Sequence, residues 1–219
     1  MTTTYQLPDT DITVVQHPLE PLTPAEIITA VAIVKVEYNL GEKVRFPMVV
    51  LKEPPKSVVL NFKPGDKIER EAFINVLNNA DGLTYEAIIS LDAKTVKSWK
   101  QIPDVQPSIM LDEFIECEAA VKASPEFQAA IKKRGITDPS LVMVDPWSAG
   151  YYAIEDEKGL RLSRALCWVR SSPNDNGYAR PIEGVIPVVD LNKMEVIRVE
   201  NYGVVPLPPN IRELRSRIY

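Results

Sequence analysis

Residues 141–152 read LVMVDPWSAGYY, and residues 160–199 read LRLSRALCWVRSSPNDNGYARPIEGVIPVVDLNKMEVIRV. Short β-branched runs alternate there with Pro, Gly, Asn and Asp, which turn a chain. That is the pattern of antiparallel strands joined by hairpins. Strands are expected at Leu141–Val144, Gly150–Ile154, Leu160–Val169, Gly184–Val189 and Met194–Val199, with turns at Asn174–Gly177 and Asp190–Lys193. Trp147, Tyr151, Tyr152, Trp168 and Tyr178 are scattered among them. No residue set able to run a reaction accompanies these aromatics, so the stretch reads as a piece that shapes access to chemistry carried out elsewhere.

Upstream, a helix is expected from Ile109 to Val121, with Leu111, Phe114, Cys117 and Val121 as its core stripe. Ser124 caps a further short helix, with Pro125 at its first position and Gly135 at its end. The first half follows the same plan. Thr23, Pro24 and Glu26 form a capping-box start, in which Thr and Glu side chains satisfy otherwise orphan backbone N–H groups. Ile27, Val31, Val34 and Tyr38 give the apolar stripe, and Gly41 is the expected stop. Strands are read at Val44–Leu51, Ser57–Phe62, Ala72–Leu77, Tyr85–Leu91 and Thr95–Trp99, with a hairpin turn at Asp81-Gly82. The closing hairpins match in kind: Glu86–Asp92 resembles Glu183–Asp190, and each turns through a lysine, Lys94 or Lys193. The chain thus states one plan twice, at a spacing of about 90 residues. The expected fold class is α+β, two tandem small domains, each a helix packed on an antiparallel sheet. The divisions are a tail over 1–16, domains over 17–105 and 106–205 separated at the Pro103–Pro107 linker, and a connection or tail over 206–219.

The 219 residues are 45% hydrophobic and 25% charged, ordinary for a soluble globular chain. A net charge of −5 without a basic stripe argues against nucleic-acid binding. The N-terminus lacks a basic start before an apolar run, and the segment 25–36 is too short and polar to span a bilayer, so neither export nor a membrane is expected. Cys117 and Cys167 are read as buried thiols in a reducing, cytoplasmic setting.

His17 is the only histidine, which leaves no usual first-row metal site and no convincing catalytic triad. Ser148 in WSAG lacks the leading glycine of a nucleophile elbow. Asn174-Asp175-Asn176-Gly177 has oxygens suited to calcium but no acidic residue at loop spacing, and reads as a turn. The glycines are scattered singly and make no phosphate loop. Core packing accounts for Trp168 and one of Tyr151 and Tyr152. Trp147, after Asp145-Pro146, and Tyr178, after Gly177, fall on turns, where a core explains them less well.

The segments PWSAG (146–150), RPIEGV (180–185), VD (189–190) with KMEV (193–196), and GVVPLP (203–208) resemble, in order and spacing, the two N-terminal domains of copper-containing primary amine oxidases. The resemblance runs from about His17 to Pro209. It implies two small cystatin-like α+β domains and a separate catalytic β-sandwich domain that this sequence does not include. In the family that domain converts primary amines to aldehyde, ammonia and hydrogen peroxide, using copper held by three histidines and a topaquinone made from a tyrosine in a T-x-x-N-Y-D/E motif. Asn201-Tyr202 departs from that motif, because Gly203 follows and no threonine precedes at the right spacing. The resemblance therefore carries over no catalytic residue and no copper ligand, and implies a chain inactive alone. It places Phe114, Pro146, Trp147 and Tyr178 on the wall of the substrate-entry channel, and implies as partners the catalytic domain, a second copy in a homodimer, and the passing amine. The alternative is a stand-alone helix-on-sheet binding module.

Overall fold

The computed structural model describes residues 17–209, and they fall into two units, the first ending at Ser108 and the second starting at Ile109. In the first, α1 (Pro24–Glu37) is followed by β1 (Val44–Leu51), α2 (Lys56–Asn61), β2 (Glu71–Asn78), β3 (Leu83–Ser90) and β4 (Thr95–Gln101). The four strands form one antiparallel sheet in sequence order. The second unit starts with two helices, α3 (Leu111–Ala123) and α4 (Pro125–Lys132). A second antiparallel sheet follows, again in sequence order: β5 (Val142–Ser148), β6 (Leu162–Val169), β7 (Val185–Asp190) and β8 (Glu195–Asn201). Both units are thus α+β, helices on an antiparallel sheet, as the sequence predicts. No described helix is long and apolar enough to cross a membrane.

Local chemistry explains where the helices begin. Thr23 accepts from the Glu26 amide, Glu26 accepts from the Thr23 amide at 2.7 Å, and Pro24 opens the helix. Ser124 caps α4 in the same manner, and Gly135 (φ +80°) follows its end. The end of α1 differs from expectation. Asn39 takes the left-handed conformation (φ 47°) and Leu40 closes back onto the Lys35 carbonyl, two residues before Gly41. The buried face of α1 is also rotated: Ala30, Ile33 and Val34 pack with Ala72, Ile74, Val76, Ala87 and Ile89. Tyr38, beyond the helix end, stacks on Trp99 at 4.0 Å, and Trp99 stacks on Tyr85 at 4.6 Å. In the second unit Cys117, Val121, Phe127 and Ile131 pack on Val142, Val144, Ala165, Cys167, Val185 and Val189. Both cysteines are free and buried, and burial pushes the Cys117 thiol up to about 12, so it behaves as a small hydrophobe.

Two expected strands are absent. Residues 57–62 lie largely in α2, whose valines are half-buried or exposed and beside which no strand pairs among the described residues; Pro54-Pro55 start it and Asn61 bonds back to the Ser57 carbonyl. β-Branched residues favour a strand only where a pleated neighbour exists to pack against. Residues 150–154 are irregular, because Gly150 (φ +69°) and Ala153 (φ +59°) break the extended backbone.

The repeat is sharper than the sequence alone indicates. In each unit a glutamate at the third helical position accepts a two-pronged bond from the arginine just before the second strand. Glu26 takes Arg70 Nε at 2.9 Å and a terminal nitrogen at 3.0 Å. Glu113 takes Arg161 at 3.0 and 2.8 Å. Both glutamates also accept the helix-capping amide, from Thr23 and from Met110. The carbonyl of each arginine accepts the amide of a leucine, Leu91 or Leu191. The hairpins β3–β4 and β7–β8 share a bulge at Ile88/Ile89 and Val188/Val189 and a left-handed residue at Lys94 and Met194. Their true equivalence therefore pairs Leu91 with Leu191 and Lys94 with Met194, rather than Lys94 with Lys193.

Candidate functional site

β5 runs along a free edge of its sheet, and its residues alternate between two faces. Val142, Val144 and Pro146 point to the helix-covered side, opposite Val169, Cys167 and Ala165. Met143, Asp145 and Trp147 point to the open side, opposite Trp168, Leu166 and Arg164. Trp147 is thus a strand residue, not a turn residue. Pro146 is tolerated because the Ala149 amide faces β6, which turns the Pro146 nitrogen to the free edge. Trp147 is 59% exposed, with its indole N–H donating to Asp145 Oδ2 at 3.2 Å.

Tyr178 sits on the loop between β6 and β7. Its amide donates to Asn176 Oδ1 at 3.0 Å, and its ring meets Trp168 edge-on at 5.1 Å while remaining 59% exposed. The structure therefore brings Trp147 and Tyr178 to the open face of one sheet. Trp168 lies opposite Met143, four residues from Trp147, or about 13 Å along the strand at ~3.3 Å per residue. Pro146 is buried on the opposite face, and Phe114 is half-buried on α3. Tyr151 and Tyr152 are both exposed, so neither fills the core; Tyr152 lies against Arg164, whose guanidinium carbon is 5.8 Å from the ring centre.

An ion network that sequence reasoning did not find spans this face. Glu157 accepts from Arg164 at 2.8 and 3.1 Å and from Arg198, and Arg198 also donates to Glu200 at 2.8 Å. Glu157 belongs to a short 3-10 turn, so the network pins the segment 149–161 to β6 and β8. The only signal was an acidic run, Glu155-Asp156-Glu157, ordinarily read as a solvated loop. The Arg198 hydrogen bond holds the Glu157 carboxyl below its ordinary 4.5; burial opposes this, and the Arg164 bond adds to it. A lowered folded value adds stability above the unfolded value, and that stability is lost as pH falls through the folded value. Glu157→Gln is expected to cost about 1–2 kcal/mol at neutral pH. The gap to the parent should close as pH drops below 4.5. Urea unfolding across that range checks this; a gap constant with pH sinks it.

Among the described residues no group of three His, Cys, Asp or Glu side chains could hold a metal ion. His17 is engaged locally, its Nδ1 accepting from the Leu19 amide at 3.2 Å and its ring edge-on to Phe62 at 5.8 Å. The donor set of the described residues does not fit copper.

Two meanders, each under a helix bound by the same Glu–Arg clamp, define a tandem of related small domains. The family described as AGAO-like N2 domain matches residues 23–99, and the copper amine oxidase N3 domain matches residues 112–214. The chain belongs to the copper amine oxidase family, of which its two units are the N2 and N3 domains. It is 44% identical over 195 residues to a primary amine oxidase of Arthrobacter sp. (strain P1), covering 89% of this chain and 30% of that protein. It is 38% identical over 232 residues to peroxisomal N-methylputrescine oxidase 1 of Nicotiana tabacum, covering 88% and 29%. The chain thus spans about 30% of the length of these curated relatives. The crystal structure of a copper-containing benzylamine oxidase from Hansenula polymorpha shares the fold, with a TM-score of 0.71 at 21% identity over 84% of this chain and 30% of that one.

Proposed function

We propose that the two units, as cystatin-like N-terminal domains, serve a copper- and topaquinone-dependent primary amine oxidase without themselves catalysing. The chemistry in this reading is oxidative deamination of a primary amine by a separate β-sandwich domain. The two units shape the entry channel to that domain and support a homodimer. The observation that carries this is the pair of exposed aromatics, Trp147 and Tyr178, on the open sheet face of the N3 domain. Each is 59% exposed, although a ring of that size gains by burial. Their ring faces attract an arriving ammonium by about 0.5–1 kcal/mol, and their bulk filters it by shape. Pro146, buried on the helix-covered face, and Phe114, half-buried on α3, do not share that open face, so the proposed wall rests on Trp147 and Tyr178.

The test uses the complete enzyme. Trp147→Ala and Tyr178→Ala are expected to change the ratio of kcat/KM for bulky over small primary amines by about two- to five-fold, the equivalent of ~0.5–1 kcal/mol. An unchanged ratio in both variants removes these residues from the channel.

A further inference from the structure

The segment leaving β8, residues 202–209, has no regular structure, yet it is fastened at both ends to the second unit. At its start the Tyr202 amide donates to the Gly184 carbonyl at 2.9 Å, and Arg134 donates to the Gly203 carbonyl. Further on, Leu207 packs against the core and the Pro208 carbonyl accepts from Arg180 Nε at 2.9 Å. The same guanidinium reaches Ser171 Oγ at 3.4 Å, and the Arg180 carbonyl accepts the Val169 amide at 2.9 Å. Ser171 and Arg180 flank the loop that carries Tyr178. Inside it, the Ser171 amide donates to Asp175 at 3.0 Å, and Gly177 is wedged so that a Cβ there would stand 2.5 Å from Met143 Sδ.

One planar fork therefore ties two irregular segments together, one at each prong. A guanidinium has fixed donor directions, so its orientation follows whichever acceptor is held more firmly. While the strap 202–208 is docked, Arg180 is oriented and the mouth of the loop is closed. Once the strap leaves, the fork is free to turn and the loop loses a tie. We propose that Arg180 is a positioning residue that couples docking of the 202–208 strap to the placement of Tyr178. Its consequence for amine selectivity rests on the channel reading above; the coupling itself does not.

The experiment is nuclear magnetic resonance on the 219-residue chain and its variants Leu207→Ala, Arg180→Ala and the double variant. In Leu207→Ala the backbone order parameters of Val204, Val205 and Leu207 or its replacement are expected to fall from about 0.85 to below about 0.6. The Tyr178 amide and ring resonances should shift with them. Arg180→Ala should loosen the strap to a similar extent. In its background the further change Leu207→Ala should no longer move Tyr178, because the link has already been cut. Retained β6 and β7 resonances report a folded unit; should Arg180→Ala lose them, Arg180→Lys, which keeps the charge and loses the fork, takes its place in the cycle. A strap that loosens in Leu207→Ala while Tyr178 stays still overturns the coupling. So does a strap unaffected by Arg180→Ala, or a Tyr178 shift on Leu207→Ala that persists without the arginine. No amine is involved, so failure here is distinguishable from failure of the selectivity test.

Discussion

Glu113→Ala is expected to destabilise the second unit by about 3–5 kcal/mol, the characteristic cost of removing one partner from a buried ion pair. Glu113 is fully buried and the Arg161 side chain is 3% exposed, so the cation is left in a dry place without its counter-charge. The Met110 amide loses an acceptor at the same time. The matching change in the first unit, Glu26→Ala, should cost only about 1–2 kcal/mol. Glu26 is 19% exposed, so water replaces part of what is lost, and the remaining cost is mainly that of a helix cap. Replacing both members, Glu113→Met with Arg161→Met, should recover much of the loss, because no charge is then stranded. Urea unfolding of the three variants, with hydrogen exchange of β6 and β2 amides to assign each transition, measures this. Equal losses for Glu113→Ala and Glu26→Ala would show that burial is not what sets the difference.

Gly184→Ala should cost about 3 kcal/mol by two additive causes. Gly184 has φ +73°, a conformation that strains any residue with a Cβ. A Cβ there would also stand 2.7 Å from the Gly203 carbonyl oxygen, a backbone atom held in place by Arg134. Arg134 also donates to the carbonyls of Ala130, Glu183 and Gly184, which fixes the guanidinium in place beneath the strap. Gly135→Ala is the control. It has φ +80° but open space around the missing Cβ, so it should cost only about 1 kcal/mol. Thermal unfolding of the two variants separates strain from collision; identical melting temperatures would mean the Gly203 contact carries no energy.

Signals that act over one turn of chain were legible from the residues. The Thr23–Pro24–Glu26 start of α1 and the Ser124 cap of α4 were set by neighbours three residues away. The Asp81-Gly82 turn and the doubled plan were legible for the same reason. What was missed depends on distant partners. The β-branched stretch at 57–62 resembles a strand, but among the described residues no strand pairs with it. Placing Trp147 in a turn hid the two-residue alternation, and with it the fact that Pro146 faces the helices while Trp147 faces outward. Glu113 lay among residues that already gave a plausible apolar stripe, and its partner is 48 residues away. Aligning Glu26 with Glu113 and Arg70 with Arg161 would have exposed it. Glu157 gave no such opening, because nothing local tells a clasped carboxylate from a solvated one.

The leading strand of each sheet carries a proline, Pro47 at the bulge of β1 and Pro146 in β5. Each sheet has β1 or β5 at its border, where a stray chain could add itself as a further rung. At Pro146 the group turned toward that newcomer is a ring carbon rather than an N–H, so the template has a gap at mid-length. Such a gap discourages growth into fibres while the ladder toward β6 stays whole.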